Sequence, residues 1–223
     1  MTPPSKKRAR REPVTRERAL AAAIEIADVG GLAELTMRRL ADELGVEAMS
    51  LYHHVPNKNA ILDGMIDLVF GQVDMPSPGV DWKTAMRRRA ASMRSVLLRH
   101  RWALGVMESR RAPGPANLAH HDAVLGCLRA GGFSLALTAH AYAVLDAFIY
   151  GFVLTELSLP FETTEQTREV VKEIFDQFPA GAYPHLAELA REHVVQPGYR
   201  FADSFDYGLE LVLDGLERAR DRA

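Results

Sequence analysis

From Val14 onward, apolar residues recur at steps of three and four. Ala19, Leu20, Ala23, Ile24 and Ala27 share one helical face, with Thr15 placed to cap its start and Gly30-Gly31 to close it. Thr36 caps a second, short helix, MRRLADEL, which stops at Gly45. A third runs from Glu47 to about His54 and ends at Val55-Pro56; Asn57 caps a fourth, from Lys58 to Val73. The Pro- and Gly-rich segment 75–81 is the first clear break. Beyond it the helical period predicts stretches at 82–101, 115–130, 134–158, 163–178, 184–194 and 202–221, separated by Pro and Gly punctuation. Period-two alternation persists nowhere and no repeat is visible, so the chain is expected to be all-α.

Composition sets the scale. With 223 residues, 48% hydrophobic and 25% charged, the chain has room for a head of about fifty residues and a body of about 150. The expected division is a disordered basic tail at 1–13, a DNA-binding head at 14–60 and a helical body at 61–223. No apolar run approaches the roughly 20 residues of a membrane span. The start, MTPPSKKRARREP, has no apolar signal core, which points to the cytoplasm. The single Cys127 rules out a disulfide framework. Net charge is −2, but residues 1–18 hold seven basic and two acidic side chains, a local +5 that leaves −7 on the rest. A basic end on an acidic body suits a polyanionic partner, although a solvated tail has the same composition.

Residues 36–55, TMRRLADELGVEAMSLYHHV, carry the sharpest signal. Two helices crossing steeply need a small residue where they meet, here Ala41, and a turn residue tolerant of positive φ, here Gly45. Leu40, Leu44, Val46 and Leu51 then face a shared core. Ala48, Met49, Ser50, Tyr52, His53 and His54 remain outward; none is acidic and several can donate hydrogen bonds. The bare spacing also fits an ordinary helical hairpin in which Gly45 is only a C-cap. Adjacent helical residues point about 100° apart, so His53-His54 is not expected to bind metal.

This stretch, with LYHHVPNKNAILD after it, closely resembles the tetracycline repressor family. DWKTAMRRRAASMRSVLLRHR, GGFSL and GLELVLDGLE resemble the body of its tetracycline-responsive branch. The resemblance implies a homodimeric, small-molecule-responsive regulator, most simply a repressor, that binds double-stranded palindromic operator DNA. It makes 48–54 the recognition helix, with Ala48, Met49 and Ser50 near base edges and Tyr52, His53 and His54 close to the DNA. Lys58 is implied to grip a phosphate and Arg38 to reach the groove. Ala48 and Met49 depart from the branch, so a different operator sequence is implied.

The same resemblance assigns the pocket positions Asp74, Arg89, Met93, Met107, Arg111, His121, Val124 and Tyr142. Met107 replaces the histidine that chelates the magnesium–drug complex, and a thioether is a poor ligand for hard Mg²⁺. No bound metal or cofactor is therefore expected, and tetracycline is not the expected inducer. A flat, mostly apolar molecule with a carboxylate or carbonyl suits these residues better, although the arginines also fit a solvated face. Wide apolar faces on 134–158 and 202–221 nominate Phe148, Phe152, Leu209, Val212 and Leu216 for dimerisation, with Gly151, Gly208 and Gly215 permitting close approach. An enzyme is the rival class, but nucleophile-elbow, phosphate-loop and zinc motifs are missing. His120-His121-Asp122 is the nearest approach to a catalytic cluster, and a helix start explains it as a cap or solvated face. A DNA-binding protein without an effector is the remaining alternative.

Overall fold

The computed structural model describes residues 13–77, 79–110, 112–161, 163–179 and 181–222. The expected tail, apart from Pro13, and the pocket candidate Arg111 lie outside them. All regular structure among the described residues is helical: α1 (Arg16–Glu34), α2 (Met37–Leu44), α3 (Ala48–Leu51), α4 (Lys58–Phe70), α5 (Trp82–Arg99), α6 (Pro115–Ala130), α7 (Leu135–Ser158), α8 (Thr164–Phe175), α9 (Pro184–Leu189) and α10 (Ser204–Asp221). The chain divides into two compact units, Met1–Gln72 with Arg99–Leu118, and Val73–Leu98 with Ala119–Ala223.

Short polar side chains start the helices of the first unit. Thr15 Oγ1 accepts from Arg18 N, Thr36 Oγ1 from Arg39 N and Asn57 Oδ1 from Ala60 N. α1 continues past the expected stop to Glu34 only through a kink at Gly31, whose φ is 73°. α2 ends at Gly45 in the left-handed region, where its N–H reaches the carbonyls of Ala41 and Asp42. α3 is shorter than expected. His54 N donates to Leu51 O, an i to i+3 bond that tightens the chain, and Pro56 disfavours helical geometry at Val55. Leu20, Ala23, Leu40, Ala41, Leu51, Val55, Ile61 and Met65 form the core of this unit. α4 approaches α1 so closely at Gly64 that an added Cβ would lie 2.7 Å from a Leu20 methyl. Asp28 of α1 accepts from Trp102 Nε1 at 2.7 Å, and Asp67 Oδ1 of α4 accepts from Asn117 N at 2.9 Å, tying 99–118 to the unit.

In the second unit, α5 is bound to α10 by Lys83–Asp214 and Arg87–Glu210 and to α7 by Arg94–Glu156. Phe148 and Phe152 of α7 meet Phe205 of α10, with ring centroids 5.5 and 5.2 Å apart. α9 is shorter than the 184–194 stretch because a wider π turn takes over at Ala190–Val194. α7 corrects one expectation. It contains an 18-residue window of mean hydropathy 1.5, long and apolar enough to cross a membrane, and only 28% of that window is buried. His140 and Asp146 interrupt the apolar run in the sequence, but the Leu, Val, Ile, Phe and Ala residues around them keep its mean high.

Candidate functional site

The first unit presents α2, the Gly45 turn and α3 as a scaffold with a buried and an open side. Leu40, Ala41, Leu51 and Val55 are almost wholly inaccessible, where α3 packs on α2 and α2 on α1. Arg38, Met49, Ser50, Tyr52, His53 and His54 are exposed, while Ala48 is half-buried. Three of them, Ser50, Tyr52 and Arg38, offer hydroxyl or guanidinium donors, and Met49 holds an apolar side chain 75% exposed to solvent. Lys58 opens α4 and is exposed. Its Nζ donates to the Leu32 carbonyl at 3.4 Å, so it also satisfies an end of α1. The surface is locally basic at Arg38, Arg39 and Lys58, with acidic Glu47, Asp42 and Glu43 alongside.

The second unit buries a polar cluster. Arg89 of α5 is 1% exposed, so the reading of it as a solvated arginine does not hold. Its Nη2 donates to Asp146 Oδ1 of α7 at 2.6 Å and its Nε to His120 Nε2 of α6 at 3.0 Å. Tyr150, one turn beyond Asp146, donates its hydroxyl to Asp146 Oδ2 at 3.4 Å. A guanidinium can only donate, so His120 Nε2 must accept and the ring's proton sits on Nδ1. Burial, then the Arg89 charge, then His121 push the His120 pKa down to about 3, which keeps the ring neutral. His120 is 0% exposed, which corrects its reading as a cap or solvated face: it lies in the sixth position of α6, past the capping turn.

Beside this cluster, His121 Nδ1 and Tyr142 OH are 2.6 Å apart with their rings edge to face. Met93 and Val124 are fully buried. Asp74 is exposed at its side chain and donates its N–H to Ser92 Oγ, yet it shares with Arg89 the lining of a cavity of about 190 Å³. Met107 is 6% exposed in a short 3₁₀ turn of the first unit. The sequence reading set His120 aside as a cap or solvated face and missed Asp146. A signal existed for Asp146: it is the only Asp, Glu, Lys or Arg between Leu135 and Thr155, one helical turn from both Tyr142 and Tyr150.

Of the residues nominated for dimerisation, Leu209 and Leu216 are 1% and 8% exposed and belong to the chain's own core, whereas Phe148, Phe152 and Val212 are half-buried, the two phenylalanines in the aromatic cluster with Phe205. Phe148 also fills the space beside Gly208, where an added Cβ would lie 2.7 Å from its ring. The exposed large apolar side chains of the same helices are Leu135, Val144 and Leu154 on α7 and Tyr207 and Leu211 on α10.

Comparison with known proteins places both units. Residues 19–65 match the model of bacterial regulatory proteins of the tetR family, and residues 75–220 match the tetracyclin repressor-like C-terminal domain. The chain is 33% identical over 213 residues to the HTH-type transcriptional repressor DrrR1 of Streptomyces coeruleorubidus, covering 92% of this chain and 77% of that one. It is 29% identical over 208 residues to the class C tetracycline repressor protein of Escherichia coli, covering 92% and 91%. The crystal structure of ActR, a TetR family protein of Streptomyces coelicolor, in complex with actinorhodin superposes with a TM-score of 0.76 at 29% identity, covering 94% of this chain and 99% of that one. The chain belongs to the TetR family and is a ligand-responsive transcriptional repressor that binds DNA through its N-terminal helix-turn-helix.

Proposed function

We propose that the protein acts as a homodimer on a palindromic operator, and that a small molecule held in the second unit releases it. The observation that carries the DNA half of this reading is the open side of α3. The four-residue α3, anchored by fully buried Leu51, displays Met49 and Ser50 to solvent, and the turn that follows it displays Tyr52, His53 and His54. In this reading Ser50 and Arg38 contact base edges, Ala48 and Met49 approach them, and Tyr52, His53, His54 and Lys58 hold the backbone. The effector half is supported by the buried polar cluster at Arg89 with Met93, Val124 and the His121–Tyr142 pair around it. The ligand named with ActR belongs to that protein; here it supports only the idea that a body of this fold encloses an organic molecule.

The test is footprinting on DNA fragments that the purified protein retains. Two heads related by a twofold axis should protect an inverted repeat with half-site centres about 34–36 Å apart or a multiple of that. Tyr52→Ala should weaken binding to all fragments. Substituting Ser50 or Arg38 should change which bases are preferred, by ~1–3 kcal/mol for each base-edge hydrogen bond removed. A protected site without inverted symmetry would overturn the dimeric reading.

A further inference from the structure

α6 begins without a cap of its own. Leu118 N donates to Gly114 O, which puts Gly114 in the capping place, Pro115 first in the helix and Asn117 third. A glycine has no side chain to accept from the N–H groups that the first turn leaves over. The acceptor comes from another helix. Asp67 Oδ1 of α4 takes the Asn117 N–H at 2.9 Å, the bond that a serine or aspartate at 114 would otherwise supply. A carboxylate also suits the positive end of the α6 dipole. Gly114 is what admits it. Its backbone lies outside the left-handed region, so positive φ is not the reason for glycine there, but an added Cβ would lie 2.2 Å from Asp67 Cγ. One turn on, the end of α4 stays close: an added Cβ at Gly71 would lie 3.8 Å from the Ala116 methyl.

The other end of α4 belongs to the DNA-binding head. Lys58 opens the helix and bonds the Leu32 carbonyl of α1, and Gly64 seats it against Leu20 of α1, on which α2 packs in turn. One turn before Asp67, Asp63 pairs with Arg110 at 3.6 Å, so a second carboxylate on the same face of α4 grips the 99–118 segment. A cap supplied from within α6 would stabilise α6 alone. Supplied from α4, it also fixes α4 and, through α1, the helix-turn-helix. We infer that Asp67 is a positioning residue for operator binding: by lending α6 its cap from α4, it makes the placing of the head depend on where α6 starts. This goes beyond the base and backbone contacts proposed for α3, because it assigns Asp67 no contact with DNA.

Three measurements on the full chain separate positioning from capping: amide exchange at Asn117, melting temperature, and affinity for a DNA fragment that the unmodified protein retains. Asp67→Ala strips the Asn117 N–H of its acceptor and should speed its exchange. It should also lower the melting temperature by about 2–4 °C, as loss of one cap does in a chain of this size. Operator binding should weaken about fivefold or more. Asp67→Asn keeps an acceptor oxygen and should hold operator affinity close to that of the unmodified protein. The double variant Asp67→Ala with Gly114→Ser moves the cap onto α6 itself, in the space that the carboxylate vacates. It should recover the melting temperature and slow Asn117 exchange while operator affinity stays low. Affinity that recovers together with the melting temperature would make Asp67 a cap and nothing more. Unmoved affinity or unmoved Asn117 exchange in Asp67→Ala would equally overturn the inference, as would a double variant in which stability and affinity stay low together.

Discussion

His120 sits in α6 with its Nε2 accepting from Arg89, and burial lowers its pKa from 6.5 to about 3. In the unfolded chain the ring is free to protonate near 6.5. Between those values the unfolded state binds more protons, so stability falls as pH falls through that window and is unaffected by this group above it. The slope is at most ~1.4 kcal/mol per pH unit. His120→Gln keeps an acceptor for Arg89 Nε and does not titrate. Chemical denaturation at pH 7.5 and pH 5 should therefore show the unmodified protein losing about 2 kcal/mol more than the variant. Parallel losses would mean that His120 does not stay neutral in the fold. At this scale the sequence was legible where chemistry is local. Thr15, Thr36 and Asn57 cap helices three residues away and were readable from spacing alone. The Arg89 cluster was not, because its partners lie 31 and 57 positions along the chain and only tertiary packing brings them together.

Helix existence and order followed from the hydrophobic period, whereas helix faces did not. α7 is apolar nearly all round, and α10, though it carries a charged side, has apolar residues on more than one face, so the period could not say which of them turn inward. The structure assigns Leu209, Leu213 and Leu216 to the core and leaves Tyr207 and Leu211 out at 71% and 55% exposure; on α7, Val144 and Leu154 are out at 46% and 58%. Val144, Ala147, Gly151 and Leu154 recur at helical spacing, and an added Cβ at Gly151 would meet nothing within 4 Å. A row of this kind, small residues between larger apolar ones, suits a second helix pair at close range. We expect this face to form the dimer interface. Leu211→Glu and Leu154→Glu should each shift sedimentation velocity toward the monomer with unchanged helical circular dichroism. Leu209→Ala should instead cost about 2–5 kcal/mol of stability, by the usual range for a buried leucine. Dimers that survive both glutamates would move the interface elsewhere.

Across the whole molecule, the charge asymmetry sets how the protein meets DNA. A local +5 on residues 1–18 against −7 on all that follows, the rest of the head included, means that the N-terminal end attracts a polyanion that the remainder of the chain repels. The sequence-independent part of binding is therefore expected to come chiefly from Lys6, Lys7, Arg8, Arg10 and Arg11, with Arg38, Arg39 and Lys58 as the further cations of the head. Each phosphate neutralised by a cation releases counterions and steepens the fall of affinity with salt by a slope of about 0.9. Deleting residues 1–12 should flatten that slope by up to ~0.9 for every phosphate the tail would have neutralised, and an unchanged slope would remove the tail from the interface. The comparison with Tyr52→Ala gives the measurement its meaning. A neutral phenol releases no counterion, so its removal should lower affinity at every salt concentration and leave the slope where it was. Deletion of the tail and substitution of Tyr52 should thus separate attraction from grip in a single pair of salt titrations.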